Sequence, residues 1–258
     1  MVNKCTVSIS LNHIRIVLVE PAGARNIGSI SRVMKNMGLT QLVIVNPRCE
    51  AKGEEASMMA VHAIDLLQAA RIVPDLITAL AGCTRVIATT ARDRGIPTQL
   101  ETPRQALPWL VDRTEPTALI FGREDSGLTN TELNYATRYI RIPVGSEYSS
   151  LNLAQAVGIC AYEIQMCASQ IDANLPTVCV PIPQPADVAP VELLEGYYQQ
   201  LETLLLKIGY LFPHTAAPRM EKLRRLYNRS QLSPNEVALL RGMLRQVQWA
   251  IDRGETKT

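Results

Sequence analysis

IRIVLVE at residues 14–20 runs into PAGARNIGSISRVMKNMGL at 21–39 and then TQLVIV at 40–45. Ile14 to Glu20 is rich in β-branched residues and halts at Pro21, as a buried strand does. Ile27 to Met37 places Ile27, Ile30, Met34 and Met37 at helical spacing, and Gly38 closes the pattern. Gln41 to Val45 is a strand again and stops at Asn46-Pro47. Strand, helix and strand in direct succession make a βαβ unit, which implies parallel pairing.

The same alternation continues outward. Helical material fills roughly Glu54 to Leu80, and RVIAT (85–89) and TALIF (117–121) read as two further strands. A short strand around Tyr139 to Ile142 precedes a long helix from Asn152 to Gln170. The pattern predicts an α/β fold: a mostly parallel sheet with helices on both faces, whose ligands bind at the loops following the strands' carboxyl ends. Five of the sixteen prolines (176, 181, 183, 185 and 190) then crowd into residues 171–190, the composition of a semi-rigid connector. Beyond it lies helical sequence only. Ser233-Pro234-Asn235-Glu236 opens the last helix with a Ser cap, a first-turn Pro and a Glu three residues after the cap. The expected domains are therefore 1–170, a proline-rich linker at 171–190, and a helical domain at 191–258.

Of the 258 residues 47% are hydrophobic and 19% charged, with a formal net charge of +2, so the global balance does not mark a nucleic-acid binder. The distribution does. From Lys207 to Arg245 eight Lys/Arg face two acids, Glu221 and Glu236, the footprint expected of a phosphate-binding surface. The six cysteines include no Cys-x-x-Cys pair, and His13, His62 and His214 lie far apart, so neither a metal site nor a His-based triad has a framework. Neither a signal peptide nor a membrane span is expected, and the reading is a soluble cytoplasmic protein.

Three loops can carry chemistry. At Asn26-Ile27-Gly28, an Asn able to cap a helix precedes a glycine that lets a sugar or phosphate approach backbone amides. Equally, Asn26 is an ordinary cap and Gly28 makes room for a neighbouring strand. Gly122-Arg-Glu-Asp-Ser-Gly-Leu-Thr129 nearly spells a phosphate-binding loop, but Leu128 stands where the phosphate lysine must be, which excludes an NTPase. The absence of any Gly-x-Gly also argues against a dinucleotide site. What survives is an acidic, glycine-bounded loop that is either structural or grips a ribose-bearing ligand. Ile142 to Ala154 gathers hydroxyls and an amide before a long helix, with Ser149 or Ser150 as its expected cap.

Together these loops resemble the three signature motifs of the SPOUT methyltransferase superfamily: Asn26-Ile27-Gly28 with Arg32, Phe121-Gly122-Arg123-Glu124 with Gly127-Leu128, and Ser149-Ser150-Leu151-Asn152-Leu153. Within it the chain more closely resembles the bacterial tRNA (cytidine/uridine-2′-O-)-methyltransferases of the anticodon loop, through Ile14 to Glu20, Gly127 to Asn130, Glu147 to Leu153 and Lys222-Leu-Arg-Arg-Leu226. That resemblance implies a trefoil knot at the cofactor site, a homodimer, and S-adenosyl-L-methionine as methyl donor. It implies cofactor contacts at Thr89, Thr90, Ala91, Gly122, Ile142, Ser149, Ser150 and Leu151. It places Arg32, Glu124, Ser150 and Asn152 at the reacting groups, and Asn26 and Arg32 towards the RNA. Thr90 departs from the expected serine, which leaves a backbone contact intact.

Arginine stays protonated in proteins, so Arg32 is expected to bind phosphate and stabilise developing alkoxide rather than accept a proton. In the tail, Arg219, Lys222, Arg225 and Arg229 recur at three- and four-residue steps, which gathers four cations on one helical face for tRNA. No membrane or DNA partner is expected. Two alternatives remain at this point: the same chemistry on rRNA, or a catalytically silent RNA-binding dimer.

Overall fold

A computed structural model of the protein describes residues 10–91, 100–112, 114–145, 150–172 and 188–255. The chain divides into two compact units, Met1–Pro181 and Ile182–Thr258. Most of the proline-rich stretch and Ser149 lie outside the described residues.

The first unit runs β1 (Ile14–Val19), α1 (Ala24–Asn36), β2 (Gln41–Val45), α2 (Glu54–Ala60), α3 (Ile64–Ala69), β3 (Arg71–Val73), α4 (Leu76–Leu80), β4 (Arg85–Thr89), β5 (Leu100–Glu101), α5 (Pro103–Ala106), α6 (Pro108–Val111), β6 (Thr117–Phe121), α7 (Asn130–Leu133), β7 (Arg138–Ile140) and α8 (Leu153–Asp172). The strands form one sheet in the order β3-β2-β1-β6-β4-β7-β5, parallel at every pairing. From β1 the chain moves one way to β2 and β3, then re-enters on the other side at β4. That reversal makes the carboxyl edge of β1, β6 and β4 a topological switch point.

Side-chain alternation gives the sheet two faces. Ile14, Ile16, Leu18, Ile87, Leu119 and Phe121 share a core with α1 and α8, through Ile27, Ile30, Met34, Val157 and Ile164. On the opposite face the Arg15 guanidinium donates to the Ala79 and Ala81 carbonyls at the end of α4, at 3.1 and 2.5 Å. The Tyr139 hydroxyl there donates to the Leu133 and Ala136 carbonyls beside α7, at 3.1 and 3.2 Å. Helices therefore cover both faces.

Several expectations need correction. The stretch Glu54 to Leu80 is not continuously helical: Arg71-Ile72-Val73 breaks out as an edge strand paired with β2. Helix α1 begins at Ala24, with Gly23 in the N-cap position and no side-chain cap, so Asn26 lies in its first turn and is not its cap. At α8 the cap is Asn152 and not Ser150, while Ser149 lies outside the described residues: the Asn152 Oδ1 accepts from the Ala154 amide at 2.9 Å, and its own amide donates to Gln155 Oε1 at 3.3 Å. The strand expected at Tyr139 to Ile142 ends at Ile140. Two short helices and β5 between β4 and β6 were not foreseen.

The second unit consists of α9 (Val191–Lys207), α10 (Ala216–Ser230) and α11 (Pro234–Glu255). Its core contains Tyr197, Tyr198, Leu201, Leu211, Met220 and Val237. Inside it, Arg224 pairs with Glu195 and the Tyr198 hydroxyl donates to Asn228 at 2.7 Å. The expected capping box is present, with the Ser233 amide donating to Glu236 at 2.7 Å and the Glu236 amide to Ser233 Oγ at 3.3 Å.

Gly28 is buried, and its neighbour is a helix, not a strand. A Cβ there would lie 2.0 Å from the Ala56 carbonyl oxygen of α2, far inside contact distance and against backbone that cannot swing away. Gly28→Ala is expected to destabilise the protein by about 1–3 kcal/mol through overpacking. Urea denaturation checks this, with a midpoint equal to wild type contradicting it.

Candidate active site

The loops after β4, β6 and β7 leave the sheet at one edge, because all the strands point the same way. They enclose a cleft of about 600 Å³, within the size range of small-molecule sites, roughly 300–1,000 Å³. Thr89, Thr90, Ala91, Gly122, Glu124, Ile142, Ser150 and Leu151 all line it. The structure therefore gathers into one cavity every described residue assigned above to the cofactor. Phe121, Leu128, Ile140, Leu153 and Ala156 supply apolar wall.

The loop walls are held by internal bonds. Thr89 Oγ1 donates to the Ile120 carbonyl at 3.0 Å, the Thr90 amide to the Ile140 carbonyl at 2.9 Å, and Arg141 to the Ala91 carbonyl at 2.7 Å. Gly122 permits a sharp fold of the second loop: a Cβ would lie 2.3 Å from both the Gly127 carbonyl carbon and the Leu128 nitrogen. A larger residue at 122 would thus disrupt the loop itself, so it is no clean probe of ligand space.

Arg123, itself part of the cleft's lining, anchors that loop. Its guanidinium meets Glu20 at 2.6 Å and Glu132 at 2.8 Å, and Glu20 also binds Arg48 at 2.7 Å. The Arg123 and Arg48 guanidinium groups pull the Glu20 carboxyl down to about 2. Glu132 doubles as the capping-box residue of α7, accepting from the Thr129 amide at 2.7 Å. Sequence reading missed this network. Thr129-Asn-Thr-Glu132 has the capping-box spacing that would have flagged α7, but the pairing with Glu20 joins residues 103 apart and leaves no local signal.

Glu124 has a different task. The Ala22 and Gly23 amides donate to its carboxylate at 3.0 and 3.2 Å, and Asn26 Nδ2 donates at 3.1 Å. It thereby occupies the amino end of α1, where free N–H groups and the helix dipole favour an anion. Asn26 Oδ1 in turn accepts from Asn152 Nδ2 at 3.0 Å. One side chain, Asn26, therefore joins the first, second and third motif loops, and Asn152 is fixed by Asn26 on one side and by the start of α8 on the other. Burial works against the Glu124 charge, but the Ala22 amide, the Asn26 side chain and the Gly23 amide hold its carboxyl below the usual range.

Asn26 and Asn152 stand outside the cleft's lining and are tied to it through Glu124, and Arg32 is not brought to this cleft at all. It lies exposed on α1, outside the residues lining the cavity. In the helical unit, Arg219, Lys222 and Arg229 are exposed, whereas Arg225 is half-buried and reaches Glu221 at 3.5 Å.

Residues 13–162 match the SpoU rRNA Methylase family, and residues 192–256 match the tRNA methyltransferase TrmJ, C-terminal domain. The chain belongs to the TrmJ branch of the SpoU methylases. It is 41% identical to the tRNA (cytidine/uridine/adenosine-2′-O-)-methyltransferase TrmJ of Pseudomonas aeruginosa, over 92% of this chain and 95% of that protein. It is 42% identical to the tRNA (cytidine/uridine-2′-O-)-methyltransferase TrmJ of Cronobacter sakazakii, over 92% and 97% respectively. Among solved structures, TrmJ from Z. mobilis ZM4 superposes with a TM-score of 0.78 at 35% identity, covering 91% of this chain and 98% of that one. A TrmJ relative thus matches both units of the chain.

Replacing Glu124 by Gln sets an amide donor among three donors and removes the charge. We expect Glu124→Gln to lower stability near neutral pH by about 1.5–3 kcal/mol, the range for hydrogen bonds to a charged acceptor. Because the folded-state pKa of Glu124 is depressed, its contribution is complete above the unfolded-state value and disappears as pH falls through the folded one. The gap in urea midpoint between wild type and variant should therefore narrow on acidification, and a pH-independent gap would contradict the assignment.

Proposed function

We propose that this protein transfers a methyl group from S-adenosyl-L-methionine to the ribose 2′-hydroxyl of a cytidine or uridine in the tRNA anticodon loop, in the cytoplasm and as a homodimer. The observation that carries the reading is the cleft at the sheet's switch point, bordered by Glu124, through which Asn26 ties the three motif loops together, in a chain matching TrmJ proteins over both units. Its mixture of exposed backbone groups, hydroxyls and apolar wall suits an adenosine and an amino-acid tail. Thr89, Thr90, Ala91, Gly122, Ile142, Ser149, Ser150 and Leu151 would hold the cofactor, which supplies an activated methyl on a sulfonium. The superfamily's trefoil knot belongs to this reading too. It is supported by β7 lying between β4 and β5 and by the return of the following segment to Asn26.

The protein's own contribution is alignment. Glu124 is ionised, hydrogen-bonded by three donors and held at low pKa, so it is a weak base for a hydroxyl proton. It acts as a positioning residue: through Asn26 it sets the orientation of Asn152, which with Ser150 orients the target nucleotide. Arg32 binds the adjacent phosphate and stabilises charge developing on the 2′-oxygen. Since Arg32 is absent from its own subunit's cleft wall, it serves the partner's site. The dimer is supported by Ile159, Tyr162 and Met166, an exposed stripe on α8 of the kind expected to need a cover. The helical unit, with Arg219, Lys222, Arg225 and Arg229, recruits tRNA. A second reading, rRNA as substrate, is favoured by the description of the family matched at residues 13–162; the match at 192–256 favours tRNA.

Purified protein incubated with methyl-labelled cofactor and separate tRNA and rRNA pools tests the proposal. Label is expected in tRNA, at a 2′-O-methyl pyrimidine after nuclease digestion, and label confined to rRNA would overturn the substrate. Arg32→Ala should lose most methyl transfer while calorimetry finds cofactor affinity unchanged. Arg32→Lys should rescue poorly, since a point charge does not reproduce a planar fork on phosphate. Mixed dimers of Arg32→Ala and Asn152→Ala subunits separate the two placements of Arg32: activity returns if it acts across the dimer and stays absent if it acts within one subunit. A monomer mass by light scattering would remove the dimer altogether.

A further inference from the structure

We propose that the end of the helical unit where α9 turns into α10 is a base-stacking platform for unpaired RNA. The proposal deepens the reading of this protein as a tRNA methyltransferase and rests on it. The turn from Ile208 to Thr215 presents two aromatic rings to solvent: Tyr210 is 57% exposed and Phe212 50%. These rings are held out by a pinned backbone. Leu211 between them is buried in the helical core, with its amide donating to the Leu205 carbonyl at 3.0 Å. Gly209 takes the left-handed conformation at φ 75° that reverses the chain, and the Thr215 amide closes the turn on the Phe212 carbonyl at 2.8 Å.

Both rings carry companions suited to nucleic acid. Arg219 lies over Tyr210 with its guanidinium carbon 5.7 Å from the ring centroid, and donates to the Tyr210 carbonyl at 2.8 Å. The His214 ring stacks on Phe212 with centroids 6.0 Å apart and planes 21° from parallel. A third pair sits on α11, where Arg253 lies 4.3 Å from the Trp249 ring, itself half exposed. Asp252, between those two positions in sequence, bonds Lys207 at the end of α9, which brings the third pair to the same end of the unit.

Exposed aromatic rings cost solubility, and flat faces bordered by guanidinium groups match the chemistry of an unstacked base beside its phosphate. A base-paired helix hides its ring faces, whereas an unpaired loop presents them. Charge favours RNA over a second copy of this chain: Arg219 begins the cationic series on α10, and two guanidinium groups at this end would repel their equivalents across a symmetric contact.

The test uses the full-length protein, an RNA stem-loop with an unpaired loop, and the same sequence closed into a continuous duplex. Tyr210→Ala, Phe212→Ala and Trp249→Ala should each weaken stem-loop binding roughly tenfold, leave duplex binding unchanged, and keep the salt slope of wild type. Lys222→Ala, removing a cation, should instead reduce that slope. Of the two tryptophans, Trp109 is buried and Trp249 exposed, so the stem-loop should quench fluorescence that is absent from Trp249→Phe, and the duplex should not. Unchanged affinity in a Tyr210→Ala, Phe212→Ala double variant overturns the platform, as does equal loss on duplex. So does a shift in oligomeric state by light scattering with RNA affinity intact, which would assign the rings to a second copy. If wild type methylates tRNA while the variants keep its KM, the platform alone fails. If wild type neither binds nor methylates RNA, the functional reading fails with it.

Discussion

The carboxylate of Glu124 closes the amino end of a helix that begins a hundred residues earlier in the chain. No local residue does so: the N-cap position is Gly23, without a side chain to offer. The exposed Ala22 amide can use water, but Gly23 is half-buried, and a buried donor left unmatched costs about 1–3 kcal/mol. The second loop must therefore fold against the first. While Glu124 binds the start of α1, Arg123 beside it is received by Glu20 and Glu132. For Asn26 to satisfy Glu124, its amide must present Nδ2 to the carboxylate, which leaves Oδ1 facing Asn152. Each bond fixes the direction of the next, and a preorganised site follows from an ordinary demand for hydrogen bonds.

The central strands were legible because burial on both faces leaves nearly continuous apolar runs, as in IRIVLV and TALIF. β3 and β5 were not. Three residues of an edge strand, with Ile72 exposed, carry too little pattern to stand out from the helices around them. Nor can local rules decide between two eligible caps. Asn26 and Asn152 both stand at helix starts, and both suit an N-cap. Only the third dimension shows that Asn152 caps while Asn26 bridges. Gly28 illustrates the same limit: a glycine in a helix signals close approach, but the approaching group, the Ala56 carbonyl, belongs to the packing of α1 on α2.

The candidate site was more legible than the fold's edges, for a physical reason. In a parallel sheet every strand ends at the same side, so residues following TALIF and RVIAT must meet. That geometry singles out these loops; the individual lining residues, Thr89 to Ala91 among them, are what the resemblance to the SPOUT methyltransferases implies. Arg32 falls outside the argument because it sits mid-helix, where its direction depends on how α1 is rotated against the sheet. The paired charges Arg123–Glu20 and Arg224–Glu195 were invisible for the complementary reason: sequence counts their charges but not their distances. Arg224 lies within the basic run of the tail, yet it is spent on the core of the helical unit, so counting cations overstates the surface available to phosphate.

The electrostatics of the cleft bear on how a hydroxyl could be methylated there. A general base works best with a pKa near the working pH, and Glu124, with its carboxyl held low by three donors, is far from that condition. Arginine is no base either. Of the four residues that the resemblance places at the reacting groups, neither of the two charged ones is thus suited to removing the proton. Holding a nucleophile in line with a good leaving group can supply a large share of a rate enhancement on its own, up to about 7–11 kcal/mol. A sulfonium donor needs no acid to assist its departure, so alignment carries more of the burden in this reaction than in most group transfers. The hydrogen-bonded chain from Glu124 through Asn26 to Asn152 is the kind of structure the proposed mechanism requires, because under that proposal a small displacement of Asn152 forfeits the alignment while leaving every charge in place.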